Sequence, residues 1–155
     1  MIPEKVLALL IPILLLSGCL SSGESPVEIQ EPTYTFQESY DNHSHQFWNA
    51  NPMSVGNNSI IELNESGDLS FILELTAFFH EPLLWTQGFV NYSLIYENET
   101  VWSVQDNSSI TDYTFNMTNV TGNITIQIQS NGSDSQIDNK PGDYFIARAY
   151  FVHKY

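Results

Sequence analysis

Asn123-Ile-Thr-Ile-Gln-Ile-Gln129 decides the fold class of this chain. Ile124, Ile126 and Ile128 point to one side of an extended segment, and Asn123, Thr125, Gln127 and Gln129 to the other. A period of two with one apolar and one polar face is the mark of a half-buried strand. The same period recurs in both directions from this stretch. Leu69, Phe71, Leu73, Leu75, Ala77 and Phe79 make a second apolar face, with Glu74 and Thr76 opposite. Ile72 and Phe78 are also apolar and spoil the polar side of that alternation. Val90, Tyr92, Leu94 and Tyr96 make a third face, Tyr113, Phe115 and Met117 a fourth, and Phe145, Ala147, Ala149 and Phe151 a fifth, with Arg148 outward. Shorter strands are expected at Tyr34–Ser39, Ser59–Leu63 and Val101–Gln105. Turn chemistry separates these runs, at Asn64-Glu65-Ser66-Gly67-Asp68, Glu97-Asn98-Glu99, Thr121-Gly122 and Asn131-Gly132. The expectation is all-β: a two-layer antiparallel sandwich of about eight strands, jelly-roll or immunoglobulin-like. The disulfide that marks immunoglobulin domains is absent, since Cys19 is the chain's one cysteine.

Ahead of the strands lies a different kind of sequence. Val6–Leu16 is apolar except for Pro12, follows Lys5, and ends in Leu16-Ser17-Gly18-Cys19. A spanning helix needs about 20 apolar residues, so the run suits the apolar part of a signal peptide. An apolar residue, two small residues and a cysteine after a short apolar core resemble the lipobox of prokaryotic secreted lipoproteins. That resemblance covers residues 1–22 and implies cleavage before Cys19 and a lipid on its sulfur. One chain binds membranes only marginally, so stable anchoring implies two. Leu20–Pro32 is small, acidic and proline-bearing, and reads as a tether. The expected organisation is a signal peptide over residues 1–18, a lipid-anchored tether over 19–32 and a sandwich domain over 33–155.

Asn-x-Ser/Thr occurs at Asn42, Asn57, Asn64, Asn91, Asn98, Asn107, Asn116, Asn119, Asn123 and Asn131, ten of 14 asparagines. About one residue in six is serine or threonine, so chance placement gives only 2 or 3. These are candidate N-glycan acceptors outside the cell. Asn91 and Asn123 are expected on outer strand faces and the other eight in or beside loops. Lipobox and dense sequons together look like an archaeal cell-surface lipoprotein, held on the outer face of the cytoplasmic membrane. The net charge of −14 excludes nucleic acid as a partner, because binding there requires neutralising phosphates.

Sites of chemistry are sparse. No nucleophile elbow or phosphate-binding glycine motif is present, so no catalytic residues and no cofactor are expected. His43 and His45, two apart, would share a face on a strand and could hold a metal; a polar, solvated segment is the plainer reading. Asp134 and Asp138 lie in an oxygen-rich loop, where calcium ligation competes with an ordinary solvated turn. Trp48, Trp85 and Trp102 could stack on sugar rings, although tryptophan is usually largely buried. Leu83, Leu84 and Trp85 form an apolar loop suited to a protein contact. Gly142-Asp143-Tyr144-Phe145-Ile146-Ala147 resembles the last strand of carbohydrate-binding jelly rolls, which implies a glycan ligand. The function expected is structural or binding, toward a surface protein or a glycan. The alternative is a small extracellular metal-binding or hydrolytic enzyme on the same fold.

Overall fold

Residues with alternating apolar side chains pair into a sheet because pairing satisfies the backbone and gathers the apolar faces on one side. The computed structural model describes residues 32–80, 87–134 and 142–155. They form six strands: β1 (Phe36–Gln46), β2 (Met53–Phe78), β3 (Phe89–Tyr96), β4 (Glu99–Asp106), β5 (Ser108–Gly132) and β6 (Tyr144–Lys154). The sheet order is β1-β6-β2-β5-β3-β4 and every pairing is antiparallel. Cys19 and the Leu83–Trp85 loop lie outside the described residues, as do Asp138 and Trp85's neighbours.

β2 and β5, with 26 and 25 residues, run through both layers of the fold. Their register slips between Leu63 and Leu69, and there the pair bends. One layer contains β1, β6, the second half of β2 and the first half of β5. The other contains the first half of β2, the second half of β5, β3 and β4. Six strands thus supply eight strand segments in two layers. The sequence expectation of separate strands with turns at Asn64–Asp68 and Thr121-Gly122 is corrected here. Those residues make a corner inside continuous strands. Asn119 and Gly122 take φ of 56° and 86°, a conformation that glycine and asparagine tolerate best. Gly67 is pinned for another reason: a Cβ there would collide with the Lys154 carbonyl.

The core lies between the layers. Leu69, Phe71, Leu73, Leu75, Ala77, Val90, Tyr92, Leu94, Ile124, Ile126, Ile128, Ala147 and Phe151 are all buried. Phe71 connects the layers: its ring lies 5.9 Å from Tyr92 and 5.1 Å from Trp102 across the gap, and 4.8 Å from Phe151 beside it. Edge-on and offset contacts of this kind are the favoured aromatic geometries.

β1 continues past Ser39, where the sequence reading ended it, to Gln46. The cause is polar pairing on its inner side. Asp41 accepts hydrogen bonds from Ser59 (2.9 Å) and the buried Tyr92 hydroxyl (3.2 Å). His43 donates through Nε2 to Asp41 (2.9 Å) while its Nδ1 accepts from the Asn57 amide (2.8 Å). These bonds tie β1 to the first half of β2 and close one side of the sandwich. Burial, together with the Asp41 carboxylate, pushes the Tyr92 phenol well above its ordinary value.

The β4–β5 turn is held by Asp106. Its carboxylate accepts from the backbone N–H of Asn107 (2.7 Å) and Ser108 (3.2 Å), from Tyr113 (3.1 Å), and from Ser109. Partial burial pushes this carboxyl up, but the hydrogen bonds outweigh it and hold the group below its ordinary 3.8. A native value below the unfolded one stabilises the fold above about pH 4 and loses that contribution as pH falls through the native value. The melting temperature should therefore drop more steeply on acidification for wild type than for Asp106→Asn. Parallel acid limbs in a pH series of thermal melts would count against this role for Asp106.

Candidate functional site

Residues of β1, β6, the second half of β2 and the first half of β5 alternate in and out, so every second one faces solvent. The registers set them in rows across the outer face. One row reads Tyr40, Tyr150, Ile72, Thr114. The next reads Asn42, Arg148, Glu74, Asp112. Then come Ser44, Ile146, Thr76, Ile110, and finally Gln46, Tyr144, Phe78, Ser108. An outer sheet face is ordinarily polar. This one also carries exposed apolar groups: Tyr40 is 69% exposed, Ile72 42%, Phe78 39% and Ile110 85%.

The apolar groups fall into two clusters. In the first, the Tyr40 and Tyr150 rings stack at 4.8 Å with 30° between planes. Partial burial, then hydrogen bonding to Glu38 and its charge, and then Tyr40, push the Tyr150 phenol up to about 12. In the second cluster Phe78 meets Tyr144 at 5.7 Å and the edge of His80 at 4.7 Å. Phe78, Tyr144 and Ile110, with Thr76, Ser108 and Ser109, line a shallow depression of about 290 Å³. Between the clusters runs a charged band, where Arg148 approaches Glu74 at 3.8 Å.

Beneath the second cluster the strand ends are clamped by Asp143, which is buried. Its Oδ1 accepts from the His80 backbone N–H (2.8 Å) and from His80 Nδ1 (3.1 Å), and its Oδ2 from the Ser133 N–H (2.8 Å). One carboxylate thereby joins the ends of β2 and β5 to the start of β6.

The residues singled out in the sequence are placed as follows. His43 and His45 both face inward from β1 and line a cavity of about 140 Å³ with Val55, Asn57, Ile128 and Phe145. His43 has both ring nitrogens engaged, and His45 packs edge-on to Phe47 at 4.7 Å. Among the described residues no three of His, Cys, Asp and Glu converge on a metal position. Asp134 is half-buried, with its backbone N–H bonded to the Asn49 carbonyl. Trp102 is half-buried against the core, whereas Trp48, two residues past β1, is 72% exposed. Of the sequon asparagines, Asn42, Asn57, Asn64, Asn98, Asn107, Asn116, Asn119 and Asn123 are exposed, and Asn91 and Asn131 half-buried. Most lie within strands rather than in or beside loops, because β2 and β5 absorb the segments expected to be turns. The outer-face clusters were missed from sequence. Ile72 and Phe78, apolar where the alternation demanded polar residues, were the signal.

No protein-family model matches the chain, and no curated protein matches it. Among solved structures it is similar to TmCBM61 in complex with β-1,4-galactotriose, at 13% identity and a TM-score of 0.44, over 76% of this chain and 86% of that one. It is also similar to a chain from Bacillus endospore appendages, disulfide-linked pili, at 8% identity and a TM-score of 0.37, over 79% and 90%. A third likeness is to infectious bursal disease virus, Gx strain, at 13% identity and a TM-score of 0.36, where 79% of this chain matches 32% of that one. These are distant likenesses of fold alone.

Proposed function

We propose that this chain is a lipid-anchored, N-glycosylated cell-surface module that binds glycan through the outer face of one sheet layer. The observation that carries the reading is the stacked, solvent-facing Tyr40–Tyr150 pair with Glu38 beside it. A sugar ring has an apolar face of C–H groups and a rim of hydroxyls. Aromatic rings take the first, and a carboxylate with a neutral phenol takes the second. The lipobox-like Leu16–Cys19 and the ten sequons support the placement outside the cell, and no sequon asparagine is buried.

The test is binding of the native protein to a panel of soluble neutral polysaccharides by affinity electrophoresis. Tyr150→Ala and Tyr40→Ala should each weaken retention by the binding polysaccharide about tenfold, or about 1.4 kcal/mol. Their stability should change by no more than about 1 kcal/mol, the scale of a cross-strand pair. Unchanged retention in both variants would remove the reading. Mass spectrometry of the protein from its native host would separately test the lipid on Cys19 and the glycans on asparagine.

A further inference from the structure

The two aromatic clusters on the outer face are separate in position and alike in chemistry. Tyr150 and Tyr144 both lie on β6, six residues apart, which at about 3.4 Å per residue is a separation of about 20 Å. Both project to the same side, since six is even. We infer that the clusters are two subsites for one ligand, an extended, neutral oligosaccharide lying along β6. This rests on the glycan reading above and names the class of glycan.

Three observations carry it. First, the band between the clusters is charged: Arg148, Glu74 and Asp112 stand in one row, and the Arg148 and Glu74 side chains are 65% and 62% exposed; Asn42, a candidate glycan acceptor, ends that row on β1. A protein partner would need an apolar centre with a polar rim, since charged residues are depleted at interface cores. Here the order is inverted, with charge at the centre and rings at the ends. A sugar chain suits it, because its middle units offer hydroxyls to the charged band while its ends lie on the rings. Second, the far subsite is a shallow depression in which the hydroxyl-bearing Thr76 and Ser108 stand beside Phe78, Tyr144 and Ile110. Third, the chain's net charge is −14. Among the described residues the lasting cations are Arg148, already beside Glu74, and Lys154, over the Tyr34 ring at 3.5 Å. An anionic glycan would find repulsion and no unengaged cation on this face.

Two subsites on one rigid sheet bind a ligand that reaches both more tightly than either subsite alone, because the second contact is intramolecular. Affinity should therefore depend on chain length. The probes are β-1,4-linked gluco-, manno- and galacto-oligosaccharides of increasing length, titrated calorimetrically against the native protein, with polygalacturonate as the anionic comparison. In the series that binds, affinity should rise at least tenfold once the chain spans both clusters and then level off. Tyr144→Ala should reduce long chains to the affinity of short ones and leave short ones unchanged; Ile110→Ala, at a residue with almost no packing to lose, should act in the same direction. Tyr150→Ala should weaken all lengths.

If Tyr150→Ala weakens binding while Tyr144→Ala and Ile110→Ala do not alter its length dependence, the two-subsite inference falls and the glycan reading stands. If Tyr150→Ala alters nothing, or no neutral series binds, the glycan reading itself falls. Tighter binding of polygalacturonate than of any neutral series would overturn the assignment of a neutral ligand. So would capture of a protein partner that Ile110→Arg abolishes while every sugar fails to bind.

Discussion

Asp143→Ala should destabilise the protein by about 3–5 kcal/mol, the scale of leaving several buried hydrogen-bond donors without their acceptor. Three donors converge on this carboxylate: two backbone N–H groups, of His80 and Ser133, and the His80 ring. Alanine leaves all three without an acceptor, and each unpaired buried donor costs about 1–3 kcal/mol. Asp143→Asn should be milder, about 1–3 kcal/mol. Its oxygen can still serve His80, but its amide would turn a donor toward Ser133. Urea melts of the three proteins would show the order wild type, Asn, Ala. Equal loss in the two variants would mean that the hydrogen-bonding geometry does not set the cost.

Phe71→Ala should cost about 3–5 kcal/mol, the range for truncating a buried aromatic. Phe71 is 1% exposed and touches rings from both layers, so the cavity would open between layers whose backbones cannot collapse into it. Ile72→Ala, one residue along and facing solvent, should stay within about 0.5 kcal/mol. The pair is a direct test of the inward and outward assignment of β2. If Ile72→Ala costs more than Phe71→Ala, the sides have been exchanged; if the two cost the same, the assignment fails.

The core was legible because it depends on local alternation. Leu69 to Phe79, Val90 to Leu94, Ile124 to Ile128 and Phe145 to Phe151 each keep period two, and the structure buries them on that period. Three things were not legible. The corner at Asn64–Asp68 and Thr121-Gly122 carries the same residues as a reversing turn, since both need tolerance of unusual φ. Only the partner strand shows that both chains bend together. β1 was cut short because Asp41, His43 and His45 are polar on its inner side. Their partners, Ser59, Asn57 and Tyr92, are 14 to 51 residues away, where a local period cannot see them. The outer-face clusters draw Tyr40, Tyr150, Phe78 and Tyr144 from three strands, and no one stretch contains a platform. The tryptophans were a poorer guide: Trp102 went to the core, and Trp48 stayed open without a described aromatic neighbour.

The bent pair β2–β5 also constrains how the chain reaches this state. Phe78 and Ser108, its innermost partners, are 30 residues apart, and its outermost, Met53 and Gly132, are 79 apart. The β3–β4 hairpin sits inside that loop. Once the hairpin has formed, pairing can advance outward from Phe78–Ser108, each step adding only a little closure entropy to a loop already shut. Pairing that starts instead at Met53–Gly132 must close the whole loop at once. Because β2 and β5 belong to both layers, growth past the corner carries order from the first layer into the second. Neither layer is then a separable folding unit, and a chain dominated by such distant pairings folds in milliseconds to seconds rather than microseconds.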